Sequence, residues 1–298
     1  MTSPGKALRD AIEDSTIQVI GAPNALAARL IEEAGFDAAY LSGAAFSAGA
    51  LALPDIGLFT LSELTQQATW ITRSTRLPLI VDADTGFGDA LNVERTIVEL
   101  ESADVAAVQL EDQQLPKRCG HLSGKTLVQP EVMCAKLRAA CEARGDPDLV
   151  LIARTDARGV TSLEDAVERA KRYVDAGADW IFPEALTTKE EFERFAREID
   201  APLVANMTEF GKSPLLSLAE LADLGYSAVL YPVTLLRVAM KAMQCALDVI
   251  ADEGTQQNIL DLMQTRDELY ELLDYRGYEE RDRAHLGGPP ARFDSPPT

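Results

Sequence analysis

The chain has 298 residues, 47% of them hydrophobic and 26% charged, a composition that supports a large folded core. Its formal charge of -20 argues against nucleic acid and anionic membranes as partners, because both call for a positive footprint. No apolar run approaches the roughly 20 residues of a membrane helix, and the N-terminus lacks a signal-peptide core, so Cys119, Cys134, Cys141 and Cys245 are expected to be thiols of a cytoplasmic protein.

A first helix is expected over Pro4 to Glu13. Thr16 to Ile20 is a β-branched run stopped by Gly21 and Pro23 and reads as the first strand. A helix over Ala25 to Ala34, closed by Gly35, leads to a second strand at Ala38 to Leu41. Further short apolar runs follow at Leu77 to Val81, Val105 to Leu110, Leu149 to Ala153, Trp180 to Phe182, Leu203 to Ala205 and Ala228 to Leu230. Each is followed by helical periodicity, and none alternates with polar residues, which implies burial on both faces. Thr60, Ser162, Thr188 and Ser217 each stand three residues ahead of an acidic residue, the spacing of a capping box. Eight strand-helix units predict an α/β fold, a closed parallel (β/α)8 TIM-type barrel, which typically takes roughly 250 residues. No glycine-rich dinucleotide fingerprint follows the first strand, which disfavours an open doubly wound sheet.

Residues 1–285 are expected to form one barrel domain with a C-terminal helical extension, built from helices over Leu235 to Ala251 and Thr255 to Tyr275. An apolar stripe on the second, Ile259, Leu262, Met263, Leu269, Leu272 and Leu273, has two readings: packing on an extension or another subunit, or packing back on its own barrel. Residues 286–298, rich in Pro and Gly, are expected to be a disordered tail.

The active site of such a barrel is assembled at the carboxyl ends of its strands. Those ends carry Ser42-Gly43, Asp82 with Asp84, Glu111 with Asp112, Arg154 with Asp156, Glu184, Asn206 with Thr208 and Glu209, and Tyr231. One polar strand end belongs to any solvated rim; their joint occurrence on seven strands points to a site. Just beyond Glu111 comes Lys117-Arg118-Cys119-Gly120-His121, which sets two cations, a thiol, a small hinge residue and an imidazole side by side. Neighbouring positive charge favours the thiolate, so this segment reads as a reactive loop more than as a solvated basic one. With only His121 and His285 in the chain, a metal must be held largely by oxygen. Asp82, Asp84 and Glu111 suit Mg2+, with Mn2+ tolerated, one aspartate binding directly and the other through water. Arg118, Arg154 and Arg237 offer planar forks for carboxylates, so the chemistry expected is on a small di- or tricarboxylate.

These segments resemble the isocitrate lyase and phosphoenolpyruvate mutase superfamily, most closely its 2-methylisocitrate lyase branch. The likeness runs from about Gly21 to Tyr278 and includes Tyr40-Leu41-Ser42-Gly43, Leu53-Pro54-Asp55-Ile56-Gly57, Asp82-Ala83-Asp84-Thr85-Gly86-Phe87-Gly88, Gln109 to Gln113, Lys117 to His121, Ala153 to Asp156, Phe182-Pro183-Glu184-Ala185, Ala205 to Gly211 and Tyr231-Pro232. The resemblance implies a Mg2+-dependent retro-aldol cleavage giving pyruvate and succinate, in the methylcitrate route of propionate breakdown. It implies Asp55, Asp82, Asp84 and Glu111 around the metal, and Tyr40 as the base for the substrate hydroxyl. Cys119 would protonate the carbanion, with His121, Glu184 and Arg154 setting its ionisation and holding the substrate. Ser42, Gly43, Ala44 and Arg154 would receive the pyruvate-side carboxylate; Glu184, Asn206, Thr208 and Arg237 would face the succinate portion. Lys117, Arg118 and Gly120 complete the substrate side of a loop that closes over the site, and a homotetramer with exchanged C-terminal helices is the implied assembly. The chain departs from the pattern at Ala44-Ala45, where glycine is commoner, and at Leu122, where a cation often follows the histidine. Lys117-Arg118 and Met207-Thr208-Glu209 favour the methylated substrate over isocitrate. Cleavage of isocitrate, 2,3-dimethylmalate or oxaloacetate is the alternative, and a non-catalytic metabolite-binding barrel is the reading from a different class.

Overall fold

Eight parallel strands, β1 (Ile17–Gly21), β2 (Ala38–Leu41), β3 (Leu79–Asp82), β4 (Ala107–Glu111), β5 (Val150–Thr155), β6 (Trp180–Pro183), β7 (Val204–Asn206) and β8 (Ala228–Tyr231), carry the fold. The structure, a computed structural model, describes residues 2–287. The strands pair in the order β6-β5-β4-β3-β2-β1-β8-β7. The two ends of that order also meet, since Ile181 bridges Leu203 in parallel and its amide donates to Pro202 O at 2.9 Å. The expected (β/α)8 barrel is therefore the fold, closed at its last seam by one bridge.

Strand alternation decides what the barrel holds. Ile17, Val19, Ala38, Tyr40, Ile80, Ala107, Val150, Ile152, Trp180, Phe182, Val204, Ala228 and Leu230 form one buried cluster inside the barrel. Their neighbours along each strand, such as Ile20, Ala39, Val81, Val108, Leu151, Ile181, Ala205 and Val229, form a second cluster with the helices. At the amino end of the strands the helix Pro4–Asp14 sends Leu8 into the inner cluster. Gly5 has to be small there, because a Cβ would lie 2.3 Å from Asp148 O.

The helix caps differ in kind. Thr60 and Ser217 make full reciprocal capping boxes with Glu63 and Glu220. Ser162 and Thr188 only accept the amide three residues on. Asp165 instead bonds Thr161 and Arg169, and Glu191 bonds Arg158 and Thr187, so neither carboxylate is left to reach back.

The chain divides into two compact units between Val238 and Ala239. In the second, the single helix expected over Thr255 to Tyr275 is not found. Its place is taken by a 3-10 turn, Gln257–Leu262, and a short helix, Arg266–Leu272, followed by a further helix, Tyr275–Leu286. Thr265 starts a new helix with its own capping box to Glu268, and Asp274, at φ 52°, ends it in the left-handed region. The apolar stripe therefore does not share one helix face: Ile259 is buried while Leu262 is 82% exposed. Of the expected tail, residues from 288 onward lie outside the described residues. Among the described residues no helix is long and apolar enough to cross a membrane.

Candidate active site

The inward-facing alternation that fills the barrel continues into its carboxyl-end mouth and changes chemistry there. One step beyond Ile80 on the inner face is Asp82; beyond Ala107 come Gln109 and Glu111, beyond Ile152 Arg154, beyond Phe182 Glu184, and beyond Val204 Asn206 and Thr208. All are buried. All but Gln109 and Glu111, which lie behind it, line one cleft together with Tyr40, Ser42, Ala44, Asp55, Lys117, Arg118, Cys119, Gly120, His121 and Arg237.

One side of the cleft is acidic. Asp82 Oδ2 accepts Gly43 N at 3.1 Å, while its Oδ1 accepts Asp84 N and Gln109 Nε2, each at 3.1 Å. Gln109 Oε1 in turn accepts the Tyr40 hydroxyl at 2.6 Å. Asp84 is held in the left-handed region at φ 49°, which turns its carboxylate back toward Lys117 Nζ at 2.7 Å. Lys117 also pairs with Asp55. Glu111 faces Arg154 on the neighbouring strand, register partner to register partner, with Nε to Oε2 at 3.4 Å. Its other oxygen, Oε1, is buried without a hydrogen bond.

This region holds more buried negative charge than its own cations offset. Burial pushes Asp84 up to about 7, with Lys117 opposing and Asp82 adding to the rise. Burial likewise raises Glu111 well above the carboxylate range despite Arg154. Burial works against the Lys117 charge, yet Asp84, Glu111 and Asp55 hold it above its ordinary range. Among the described residues no three His, Cys, Asp or Glu side chains form a ready metal cluster. The donor set still fits a hard cation. A Cβ on Gly43 would touch Asp84 Oδ1 at 3.0 Å and Asp82 Oδ2 at 3.2 Å, so two carboxylates border one small hollow. Mg2+ needs only one or two protein carboxylates, taking its remaining oxygens from water and substrate.

The opposite side is a lattice of ion pairs under the cysteine loop. Arg154 lies 3.7 Å from Glu184 and donates to Asp156 Oδ2 at 3.0 Å, and its guanidinium stacks over Phe182 at 5.3 Å. His121 Nδ1 accepts the Lys212 amide at 2.9 Å, so the ring proton sits on Nε2, 2.7 Å from Glu184 Oε1. Asn206 Nδ2 donates to the other Glu184 oxygen at 3.1 Å. Burial opposes ionisation of Glu184, but Arg154 and His121 outweigh it and hold its carboxyl down at about 2. Gly120 closes over this pair with no space for a side chain: a Cβ would lie 2.3 Å from Arg154 Nη2 and 2.6 Å from Glu184 Cδ. Cys119, a free thiol of intermediate exposure, lines the cleft beside it.

Ser42 caps the helix Gly43–Leu51 by accepting Ala45 N at 3.3 Å, which aims that helix N-terminus, a natural carboxylate cradle, at the cleft. Arg118 and Arg237 stand at the rim, Arg237 stacked on Phe210 at 5.3 Å and bonded to Glu209 O. Every residue expected to touch metal or substrate thus falls on or directly behind this one cleft, with Gly43, Asp84 and Glu111 in the layer behind its lining, whereas Asp112 turns away to Tyr173 and Arg169. Of the groups beside Cys119, Lys117 is paired with Asp55 and Asp84, and His121 faces Glu184. Sequence reading missed Gln109, Lys125 and Gln113. Gln109 was detectable as a polar residue inside an apolar run. Gln113 bonds both the amide and the carbonyl of Arg118, at 2.9 and 2.8 Å, and no local pattern announces that.

Comparison with known proteins narrows the chemistry. The family model described as phosphoenolpyruvate phosphomutase matches residues 8–251. A 2-methylisocitrate lyase of Aeropyrum pernix is 55% identical over 94% of this chain and 90% of its own. Among solved structures, a 2,3-dimethylmalate lyase superposes with a TM-score of 0.89 at 36% identity, covering 97% of each chain. A phosphonopyruvate hydrolase in complex with oxalate and Mg2+ superposes with a TM-score of 0.83 at 31% identity, covering 96% of this chain and 98% of that one.

Proposed function

The chain belongs to the phosphoenolpyruvate phosphomutase family, and from that premise we propose that it is a carbon-carbon lyase cleaving 2-methylisocitrate to pyruvate and succinate. The observation that carries this reading is one cleft with a cation-suited carboxylate cluster on one side and a thiol-bearing loop on the other. 2-Methylisocitrate is favoured over 2,3-dimethylmalate by the 55% identity to a 2-methylisocitrate lyase, against 36% to the 2,3-dimethylmalate lyase.

Asp82 and Asp84, backed by Asp55 and Glu111, would hold Mg2+, or Mn2+ in its place. When bound, the cation supplies Lewis-acid stabilisation of the charge that develops on the pyruvate-side oxygens. The chain's own residues do the rest. Ser42, Gly43 and Ala44 at the helix N-terminus receive the pyruvate-side carboxylate, with Arg154 facing it across the cleft. Glu184, Asn206, Thr208 and Arg237 orient the succinate portion, and Lys117, Arg118 and Gly120 complete the enclosing loop.

Tyr40 takes the proton of the substrate hydroxyl as the C2–C3 bond opens and the C2–O bond becomes a carbonyl. Burial, and then Asp82, hold the phenol protonated at rest, so Tyr40 must first release its own proton to solvent at the mouth of the cleft and acts as the phenolate. The electron pair of the broken bond stays on C3, and the Cys119 thiol protonates that carbon to complete succinate. His121 and Glu184 hold the loop carrying that thiol. The assembly that goes with this reading is a cytoplasmic homotetramer.

The test is turnover of 2-methylisocitrate, isocitrate, 2,3-dimethylmalate and oxaloacetate with products identified, on a preparation sized by light scattering. We expect pyruvate and succinate, a kcat/KM for 2-methylisocitrate at least about tenfold above the others, loss with chelator, recovery with Mg2+, and the mass of four chains. Preference for another acid moves the assignment to a sister activity, and ligand binding without turnover returns the metabolite-binding barrel.

A further inference from the structure

The segment 113–127 leaves β4 and returns beside its own start. Gln113 and Leu127 form an antiparallel bridge at its base, and Gln114 N donates to Thr126 O at 2.8 Å. Cys119, Gly120 and His121 lie at its far end. The chain reverses at Gly124, whose φ of +82° suits glycine, and this brings Lys125 back beneath Gly120. The Lys125 side chain is 1% exposed. Its ammonium donates to the Gly120 carbonyl and, at 2.6 Å, to Asp156 Oδ1. Asp156 is itself fixed from three directions, by Arg154 Nε at 3.0 Å, by Arg154 Nη2 at 3.2 Å, and through its amide by Asp112 Oδ1 at 2.9 Å.

A buried ammonium is unfavourable unless paired, and the base of this loop is already closed by main-chain bonds. The lysine therefore answers a need of the loop tip. We propose that Lys125 is a positioning residue: it ties the peptide joining Gly120 and His121 to the Asp156–Arg154 pair and holds Cys119 over the cleft. The loop lifts only when the contact between Lys125 and Asp156 separates. Lys125 does not touch the reacting atoms and acts through Gly120 and Asp156. The turnover arm of the test rests on the lyase reading above, whereas the thiol-accessibility arm does not.

The experiment compares wild type with Lys125→Met and with Lys125→Met/Asp156→Asn, which removes both buried charges together in case the single variant fails to fold. Iodoacetamide alkylation of Cys119 is followed by peptide mass mapping, so that the exposed Cys245 is scored separately. We expect alkylation of Cys119 to accelerate by about tenfold through easier local opening. Turnover of 2-methylisocitrate should fall about 100-fold in kcat, with KM changed by less than about threefold. Wild-type alkylation in a folded variant overturns the proposal whatever happens to turnover, and so does a wild-type kcat. Faster alkylation in a protein whose wild type also lacks turnover supports the positioning role and defeats the lyase reading alone.

Discussion

Gly120 shows how closely single residues are specified at this site. An alanine Cβ there would meet Arg154 Nη2 at 2.3 Å and Glu184 Cδ at 2.6 Å. Neither neighbour can retreat, because Arg154 is pinned by Asp156 and Glu184 is bonded by Asn206 and faced by His121. The loop would have to rise instead, carrying Cys119 away from the cleft. Gly120→Ala should therefore lower kcat about 100-fold, the scale expected of a misplacement near 1 Å. The protein should still melt in one cooperative transition, since Cys119 to His121 lie outside both hydrophobic clusters. Steady-state kinetics beside a thermal melt checks this, and an undiminished kcat would mean that the loop accommodates the methyl. At this scale the sequence was legible where chemistry is local: a cysteine between cations, or carboxylates at strand ends. It was illegible where a residue acts by reach. Lys125 is five residues from Gly120 and 31 from Asp156, and only the fold brings the three together.

At the scale of elements, the strands were readable because a parallel sheet covered on both faces is written as uninterrupted apolar runs. The eight expected runs match β1 to β8 within a few residues at their ends. The region after Glu253 was misread for the opposite reason. Its apolar residues recur at nearly helical spacing, yet Thr265 and Glu268 form a capping box within the stretch and restart the chain. That signal outranks periodicity, since a cap satisfies amides that a continuous helix would satisfy itself. The same device can be tested where it is remote from the cleft. Ser217 accepts Glu220 N at 3.3 Å at the start of the helix Leu218–Asp223. Ser217→Ala should destabilise the protein by about 1 kcal/mol in urea unfolding and leave kcat unchanged. A loss below a few tenths of a kcal/mol would show that the remaining Glu220 contacts suffice.

Across the whole molecule, the buried ion pairs link catalysis to acid stability. Glu184 titrates at about 2 in the folded chain against an ordinary 4.5. Burial opposes that shift, and Arg154, His121 and Lys125 overcome it. The folded state thus binds fewer protons than the unfolded one between those values. The stabilisation is complete above pH 4.5 and is lost as pH falls toward 2. Asp84, raised by burial to about 7 in the absence of a cation, works in the other direction and loses stability as pH rises from 3.8 through 7. A wild-type pH profile alone would mix the two, so the informative quantity is the difference between wild type and Glu184→Gln. That difference should be on the order of 3 kcal/mol larger at pH 7 than at pH 2 in urea unfolding, with most of the change between pH 4.5 and pH 2. A difference independent of pH would mean that Glu184 acts through shape and hydrogen bonding. The barrel would then hold Arg154 and His121 in place without relying on the charge of the carboxylate between them.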